Sequence, residues 1–302
     1  MSQEPTRKRF HLTLDGDNIP LWNRVSYPNR ERIVRVALGA MLLVAILFVV
    51  FPLFWMASTA LRPRPMIFDV PTPLLPPVFT LDNFYQMFQD SQFETWYSNT
   101  ILVSLGVVSI TVSTATLGGY GLTRIDIPFK RAFARIILFG YMFPAILLAI
   151  PMFILWRQVG MINSIVGLIF AETAVALPFS LWLMWKFFQT VPVSLEESAQ
   201  MAGASRFRAF YEIALPMAKP GMIAIAVFAY AIAWNEFTIP QVLMNDSDLY
   251  VLTQGLYFFT IQNKTVWEQI MAASTLTIIP SFLFVFFLQK YLLRGFRAGG
   301  IG

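Results

Sequence analysis

The stretch QTVPVSLEESAQMAGASRFRAFYEIALPMAKP, residues 189–220, lies between two strongly apolar segments of the chain. It is polar and mixed in charge, and its pattern is typical of folded helices. Ser194 and Glu197 have the spacing of a capping box, in which each side chain accepts a hydrogen bond from the other residue's backbone N–H. Glu196 and Glu197 also suit the positive end of a helix dipole. The pattern therefore predicts a helix that begins at Ser194 and breaks at Gly203.

A second helix is predicted over residues 205–214, because Leu215 precedes a proline and such a residue is disfavoured in a helix. The first helix carries a run of small residues beside the carboxylate of Glu197. Small residues allow another protein to approach closely, and a carboxylate at their edge can set the register with a basic partner. The residues alone fit equally well a plain helical hairpin that lies on the membrane.

The segments on either side of this loop are apolar enough to cross a bilayer. The chain is 57% hydrophobic and only 13% charged, with a mean hydropathy of +0.61, which excludes an ordinary soluble domain. A span requires about 20 mostly apolar residues. Six segments meet that condition and predict an all-α membrane protein with six transmembrane helices: residues 36–61, 97–122, 136–156, 165–187, 222–244 and 270–292.

The distribution of Lys and Arg predicts the orientation of these spans. All but four of the 22 basic residues fall in the N-terminal tail, in the loops after the second and fourth spans, or at the C-terminus; the four are Arg62, Arg64, Arg157 and Lys264. The positive-inside rule then places both termini in the cytoplasm. The predicted organisation is a cytoplasmic tail over 1–34, a transmembrane domain over 35–293 and a cytoplasmic tail over 294–302. The domain includes an outer cap loop over 62–96, with a short helix near 81–88, and a cytoplasmic coupling loop over 188–220.

Several kinds of chemistry are excluded by composition. The chain has no cysteine, and its single histidine, His11, lies in the polar tail, so neither a thiolate site nor an intramembrane histidine site is available. It has no Gly-x-x-x-x-Gly-Lys-Ser/Thr phosphate loop, so we expect no bound cofactor and no ATPase or other enzyme activity. The net charge of +5 is interpreted as the basic bias of cytoplasmic loops, not as a nucleic-acid surface.

Polar residues inside predicted spans are candidates for a transport pathway, since an ionisable group there is costly and suggests function. The candidates are Glu172 in the fourth span and Tyr230, Trp234, Asn235 and Glu236 in the fifth. They line the pathway under one interpretation, and under the other they hold neighbouring helices together through hydrogen bonds.

Two further features concern packing. Gly118, Gly119 and Gly121 are predicted to allow close helix contact or a bend. Trp96 falls near a predicted span end, which fits the aromatic belt at a membrane interface.

The loop resembles the EAA loop of the binding-protein-dependent ABC importer permeases, whose pattern is Glu-Ala-Ala, then Gly-Ala three residues later, then spaced Phe, Ile, Leu-Pro and Pro. The chain departs from this pattern at Ser198, which replaces the middle small residue, and at Ala202, where the family usually has Asp. The matching residues are Glu197, Ala199, Gly203, Ala204, Phe210, Ile213, Leu215, Pro216 and Pro220.

The resemblance extends over most of the chain and is strongest to the carbohydrate-uptake branch, in particular to the second permease subunit of maltose-type systems. The segments that carry it are PLFW at 52–55, FTLDNF at 79–84, NT at 99–100, GYGLTR at 119–124, AWNEF at 233–237, MAAS at 271–274, Pro280, and RG at 294–295.

The resemblance implies a type I ABC importer permease fold in a bacterial or archaeal inner membrane. It implies a heterodimer with a second permease subunit, an ATPase dimer that holds the ATP and Mg²⁺, and an extracytoplasmic solute-binding protein. The residues expected to dock the ATPase are Glu197, Ser198, Ala199, Ala202, Gly203 and Ala204. The expected solute is a sugar or polyol. A glycerol phosphate or another small solute is the alternative, followed by an ion-coupled secondary transporter, which broken helices and midplane ion ligands would favour.

Overall fold

A computed structural model describes residues 27–126, 128–261 and 266–299, so most of the predicted N-terminal tail lies outside the described part. The regular elements in these ranges are helices, apart from short 3₁₀ turns at Arg64–Met66 and Ser247–Leu249. The helices are α1 (Tyr27–Ala60), α2 (Asp82–Asp90), α3 (Phe93–Arg124), α4 (Lys130–Tyr141), α5 (Ala145–Gln158), α6 (Ile165–Gln189), α7 (Val193–Met201), α8 (Arg206–Ala209), α9 (Leu215–Asn235), α10 (Thr238–Leu243), α11 (Leu252–Ile261) and α12 (Trp267–Gly299).

Five helices of the described residues are long and apolar enough to span a membrane, and a sixth span exists only if α4 and α5 cross together. Residues 136–156, predicted as the single helix of the third span, instead belong to two helices that meet at an angle of 98°. The break lies before Pro144, which is the N-cap of α5. A proline disfavours helical backbone in the residue that precedes it, and this explains why α4 does not continue.

The fifth span also differs from its prediction of residues 222–244. Arg206–Asn235 is one continuous helical segment, because a π-helical turn at Phe210–Ala214 joins α8 to α9. The predicted stop at Leu215 is therefore wrong. Pro216 lies in the first turn of α9, next to the π turn. A proline has no backbone N–H, and this costs fewer hydrogen bonds here than in the middle of a regular α-helix. At the other end, α9 finishes at Asn235 and Glu236 is extended.

Helices α3, α6 and α9 form the core of the molecule. At Gly119 a Cβ atom would lie 2.8 Å from the carbonyl carbon of Met184 and the backbone nitrogen of Trp185, so glycine is what allows α3 to approach α6 this closely. Gly121 has no such constraint. Small and branched residues of these helices pack together with those of α10: Val103, Val107, Leu168, Ala171, Ala176, Ala229, Ala233, Ile239 and Leu243.

The loop over 62–96 is ordered by polar side chains that bind backbone groups. Asn83, in the predicted short helix that the structure confirms as α2, donates from Nδ2 to the carbonyls of Ala60 and Arg62, both at 2.8 Å. The buried Arg62 donates in turn to the carbonyl of Pro73 at 2.6 Å. These bonds satisfy buried carbonyl groups without a sheet or a helix.

Trp96 does not belong to an interfacial belt as predicted. It is 2% exposed, its Nε1 donates to the carbonyl of Ser247 at 2.9 Å, and its ring occupies the space where a side chain at Gly255 would lie. The ring therefore packs the start of α3 against α11.

The chain separates into two compact units, Met1–Trp55 and Met56–Gly302. The described part of the first unit is the N-terminal portion of α1, and the most apolar window of that helix has a mean hydropathy of 2.8 and no buried residue. Such a surface requires lipid or another protein around it.

Candidate functional site

The loop that follows α6 contains α7, and its start differs from the prediction. The helix begins at Val193 after Pro192, one residue earlier than expected, and no side chain caps it. Ser194 and Glu197 are both exposed and both inside the helix, so the predicted capping box is wrong. An N-cap side chain needs non-helical backbone at its own residue, and Ser194 lies within the first helical turn.

The predicted break at Gly203 is confirmed, and its geometry is that of a Schellman motif. Gly203 has a φ of +94°, a conformation that glycine adopts without strain. Its N–H donates to the carbonyl of Gln200 at 2.9 Å, and the N–H of Ala204 donates to the carbonyl of Ala199 at 3.0 Å. Ser205 then caps α8 by accepting from the N–H of Arg208 at 3.2 Å.

The residues predicted to dock an ATPase form one accessible surface, which we call the docking patch. Glu197, Ser198, Ala202 and Gly203 are exposed, and Ala199 and Ala204 are half-buried. Two large apolar side chains border it, Met201 at 91% exposure and Phe207 at 74%. An accessible surface with apolar side chains at its edge is typical of a protein interface.

The structure adds a residue that the sequence analysis did not assign to the site. Glu196 is 2% exposed and points away from the docking patch into the molecule. Its Oε1 accepts from Nε of Arg124 at 2.8 Å, and its Oε2 accepts from the hydroxyl of Tyr120, also at 2.8 Å. Both partners lie in the last turns of α3. Hence one carboxylate attaches α7 to the end of a membrane-spanning helix.

Arg124 also binds the chain that leads into α7. Its guanidinium donates to the carbonyls of Phe188 at 3.3 Å and Val191 at 2.9 Å. The ring of Tyr120 packs against Phe188 and Phe210, with centroids 5.5 and 4.5 Å apart. The two ends of the loop are thus held at one point on α3. The sequence contained one sign of this attachment: the i, i+4 spacing of Tyr120 and Arg124 places both side chains on one face of α3.

Two of the predicted pathway residues border an open space. Asn235 is the last residue of α9 and Glu236 follows it, and both line a cavity of about 410 Å³ beside the bend between α4 and α5. Glu236 Oε1 accepts from the N–H groups of Thr238 and Ile239 at 2.8 and 3.2 Å and so caps α10. Asn235 Nδ2 donates to the carbonyl of Ala231 on its own helix at 2.8 Å.

The other three predicted pathway residues are buried inside the chain. Neither carboxylate oxygen of Glu172 has a hydrogen-bond partner among the described residues. Tyr230 and Trp234 stack with centroids 5.3 Å apart, and the Tyr230 hydroxyl lies 3.5 Å from that of Ser281. None of the three lines the cavity beside Asn235 and Glu236, so their place in a pathway stays a prediction. In the described ranges, no three His, Cys, Asp or Glu side chains are grouped to hold a metal ion.

The sequence places these features in a known family. Residues 112–298, more than half of the chain, match the family described as binding-protein-dependent transport system inner membrane component. The chain belongs to that family. The predicted resemblance to importer permeases is confirmed, and with several long apolar helices the permease is a multi-pass membrane protein.

Named relatives of the permease are transport proteins. It is 29% identical over 248 residues to the diacetylchitobiose uptake system permease protein NgcG of Streptomyces coelicolor, with 81% of each chain covered. It is 28% identical over 278 residues to the trehalose/maltose transport system permease protein MalG of Thermococcus litoralis, with 90% of this chain and 99% of the relative covered.

A solved structure shares the fold of the permease. It is a bacterial ABC transporter involved in the import of the acidic polysaccharide alginate, and one of its chains superposes with a TM-score of 0.77. The match covers 88% of this chain and 98% of the other at 23% sequence identity. The all-helical permease fold is therefore supported independently of the loop motif.

Proposed function

We propose that this permease is one membrane-spanning half of an ATP-driven importer for a carbohydrate. It forms the translocation pathway together with a second permease subunit, and an ATPase dimer docks on the cytoplasmic side. An extracytoplasmic binding protein delivers the solute. Both termini face the cytoplasm in this arrangement, in agreement with the excess of Lys and Arg in the tails and in the loops on that side.

The observation that carries the proposal is the connection between the docking patch and the transmembrane core. The patch is accessible on α7 and its Schellman turn, while Glu196 on the same short helix is buried against Arg124 and Tyr120 of α3. A partner that moves α7 must therefore also move the end of α3. This is how closure of an ATPase dimer would switch the pathway between inward- and outward-facing states.

The energy source lies in the partner. The chain lacks a phosphate-binding loop, so ATP and Mg²⁺ are held by the ATPase subunits and this polypeptide has no enzyme activity of its own. The small residues of the patch accommodate a close protein contact, and Glu197 supplies the charge that sets its register. Ala202 is the C-cap residue of α7, and the family's usual Asp is not needed for the turn that Gly203 completes.

A carbohydrate is the proposed solute class. The named relatives transport diacetylchitobiose and trehalose or maltose. The cavity beside Asn235 and Glu236 offers an amide, a carboxylate and the aromatic ring of Tyr141, which are groups that bind sugar hydroxyls and ring faces. Glu172, Tyr230 and Trp234 join the pathway only if the helices rearrange during the transport cycle.

Cross-linking tests the docking assignment directly, because the chain has no natural cysteine. We expect Ser198→Cys, carrying a thiol-attached photoreactive group, to cross-link to the ATPase subunit in the assembled complex. Gln158→Cys, exposed at the end of α5, is the matched control and should not cross-link to it. Absence of an ATPase adduct at residue 198 in complexes that contain the ATPase would refute docking through this loop.

A further inference from the structure

A second cavity lies where α3 ends, α4 begins and α6 ends, and the proposed transport cycle makes no use of it. It is open, with a volume of about 590 Å³. Three basic side chains line it, those of Lys130, Arg135 and Lys186, together with the hydroxyl-bearing side chain of Thr123. No carboxylate is among its lining residues. The cavity is therefore suited to an anion.

The basic groups are largely available to a ligand. Lys130 Nζ lies 3.6 Å from Asp126, whose side chain is fully exposed, and an ion pair of this kind contributes little in water. Lys130 also donates to the carbonyl of Ile125 at a long 3.4 Å. Lys186 is exposed, and its Nζ lies 4.8 Å from the ring centroid of Trp185. These contacts leave the positive charges facing an anion that enters the cavity.

The position of the cavity relative to the spans points to a lipid. The spans α3 and α6 end at Arg124 and Gln189, so the cavity lies at the level where apolar helices meet polar headgroups. Trp182 and Trp185 line it, and tryptophan is enriched at that depth. Trp185 also packs with Leu122 and Ala134 in a buried apolar cluster.

The outer face of α4 continues from the cavity as an apolar strip. Phe133, Ile136 and Phe139 are spaced three residues apart and are 52%, 69% and 59% exposed. Residues three apart lie on one face of a helix. The combination of a cationic cavity and an adjoining apolar strip matches a molecule with an anionic head and hydrocarbon tails.

We propose that this cavity binds the phosphate headgroup of an anionic phospholipid, with the acyl chains along the α4 strip. Basic pockets between transmembrane helices are known to bind such headgroups. The lipid would bridge α4 to the ends of α3 and α6, beside the Arg124 attachment of the loop. The inference rests on the placement of α3 and α6 across the membrane and is independent of ATPase docking.

The test is a lipid titration of the purified full-length permease complex, followed by native mass spectrometry. We expect phosphatidylglycerol to be retained more strongly than phosphatidylethanolamine. Each basic group near an anionic surface contributes about a factor of five in affinity. Lys186→Gln should therefore weaken phosphatidylglycerol binding about fivefold, and the triple variant Lys130→Gln, Arg135→Gln, Lys186→Gln should weaken it about a hundredfold.

Three controls make the result decisive. Lys186→Arg keeps the charge and should retain the lipid, which shows that loss in Lys186→Gln is not misfolding. Arg157→Gln, at the end of α5 and outside the cavity, should leave binding unchanged. A large excess of inorganic phosphate should leave the lipid bound. Equal retention of the two lipids, an unaffected triple variant, or displacement by inorganic phosphate would each overturn the proposal.

Discussion

Glu196 and Arg124 form an ion pair between α7 and the end of α3, with Arg124 Nη2 2.7 Å from Glu196 Oε1. The Glu196 side chain is only 3% exposed and the Arg124 side chain only 10%. A pair removed from water to this degree is costly to break on one side only, because the remaining charge stays buried without its partner. The pair therefore fixes the docking loop on the transmembrane core.

Replacement of Glu196 by Gln should destabilise the permease by about 3 kcal/mol, the lower part of the range for a broken buried pair. The amide still fills the space and its oxygen can still accept a hydrogen bond, but it carries no negative charge to balance the buried Arg124 guanidinium. Thermal unfolding of the purified complex in detergent measures the loss. Glu197→Gln is the matched control, since Glu197 is the exposed neighbour on the same helix.

We expect the opposite order for ATPase docking, which Glu197→Gln should weaken more than Glu196→Gln does. Glu197→Gln should leave the unfolding temperature unchanged and weaken retention of the ATPase subunit during purification. Equal unfolding temperatures for Glu196→Gln and the unsubstituted protein would show that the ion pair does not hold the loop.

Sequence reasoning found the features whose cause is local. Gly203 ends α7 because it adopts a positive φ there, and this signal lies in the motif itself. The apolar spans around α3 and α6 follow from composition over about 20 residues. Gly119 was identified as a close-packing position, although Gly121, two residues away, has no such constraint.

The features that were missed depend on residues far apart in the chain. Glu196 and the exposed Glu197 are adjacent and chemically identical, so the sequence does not distinguish them. Only the fold brings Glu196 to Arg124, 72 positions away. Likewise, the 98° bend between α4 and α5 lies inside one continuous apolar run. Hydropathy measures the length of such a run and contains no information on its direction.

The contact at Gly119 predicts a steric effect. Gly119→Ala places a Cβ 2.8 Å from the backbone of α6, so the helices must separate. We expect a loss of about 1–3 kcal/mol in the free energy of unfolding, the usual cost of overpacking. Gly140→Ala is the control, because a Cβ there meets nothing within 4 Å. Equal unfolding temperatures for the two variants would show that α3 and α6 are not in close contact at this point.

Gly203 and Gly160 allow backbone strain to be separated from docking. Both have positive φ, +94° and +71°, and at both a Cβ would meet open space. Alanine at either position should cost about 1–2 kcal/mol in local strain. Only Gly203→Ala changes the docking patch, so only this variant should lose ATP-driven uptake in vesicles that contain the full transporter. If Gly160→Ala loses uptake to the same extent, the defect comes from strain and not from docking.

Asn235 tests whether the cavity at the α4–α5 bend lies on the solute pathway. Its side chain donates a hydrogen bond to the carbonyl of Ala231 on its own helix, so Asn235→Ala should fold normally. If the amide binds a sugar hydroxyl, its loss removes about 0.5–1.5 kcal/mol and raises the KM for uptake about two- to tenfold. The substrate is the sugar that the cognate binding protein retains.

Ser109→Ala is the control, because Ser109 also donates to a carbonyl of its own helix, that of Leu105, and is exposed outside the cavity. An unchanged KM in Asn235→Ala would place the pathway elsewhere.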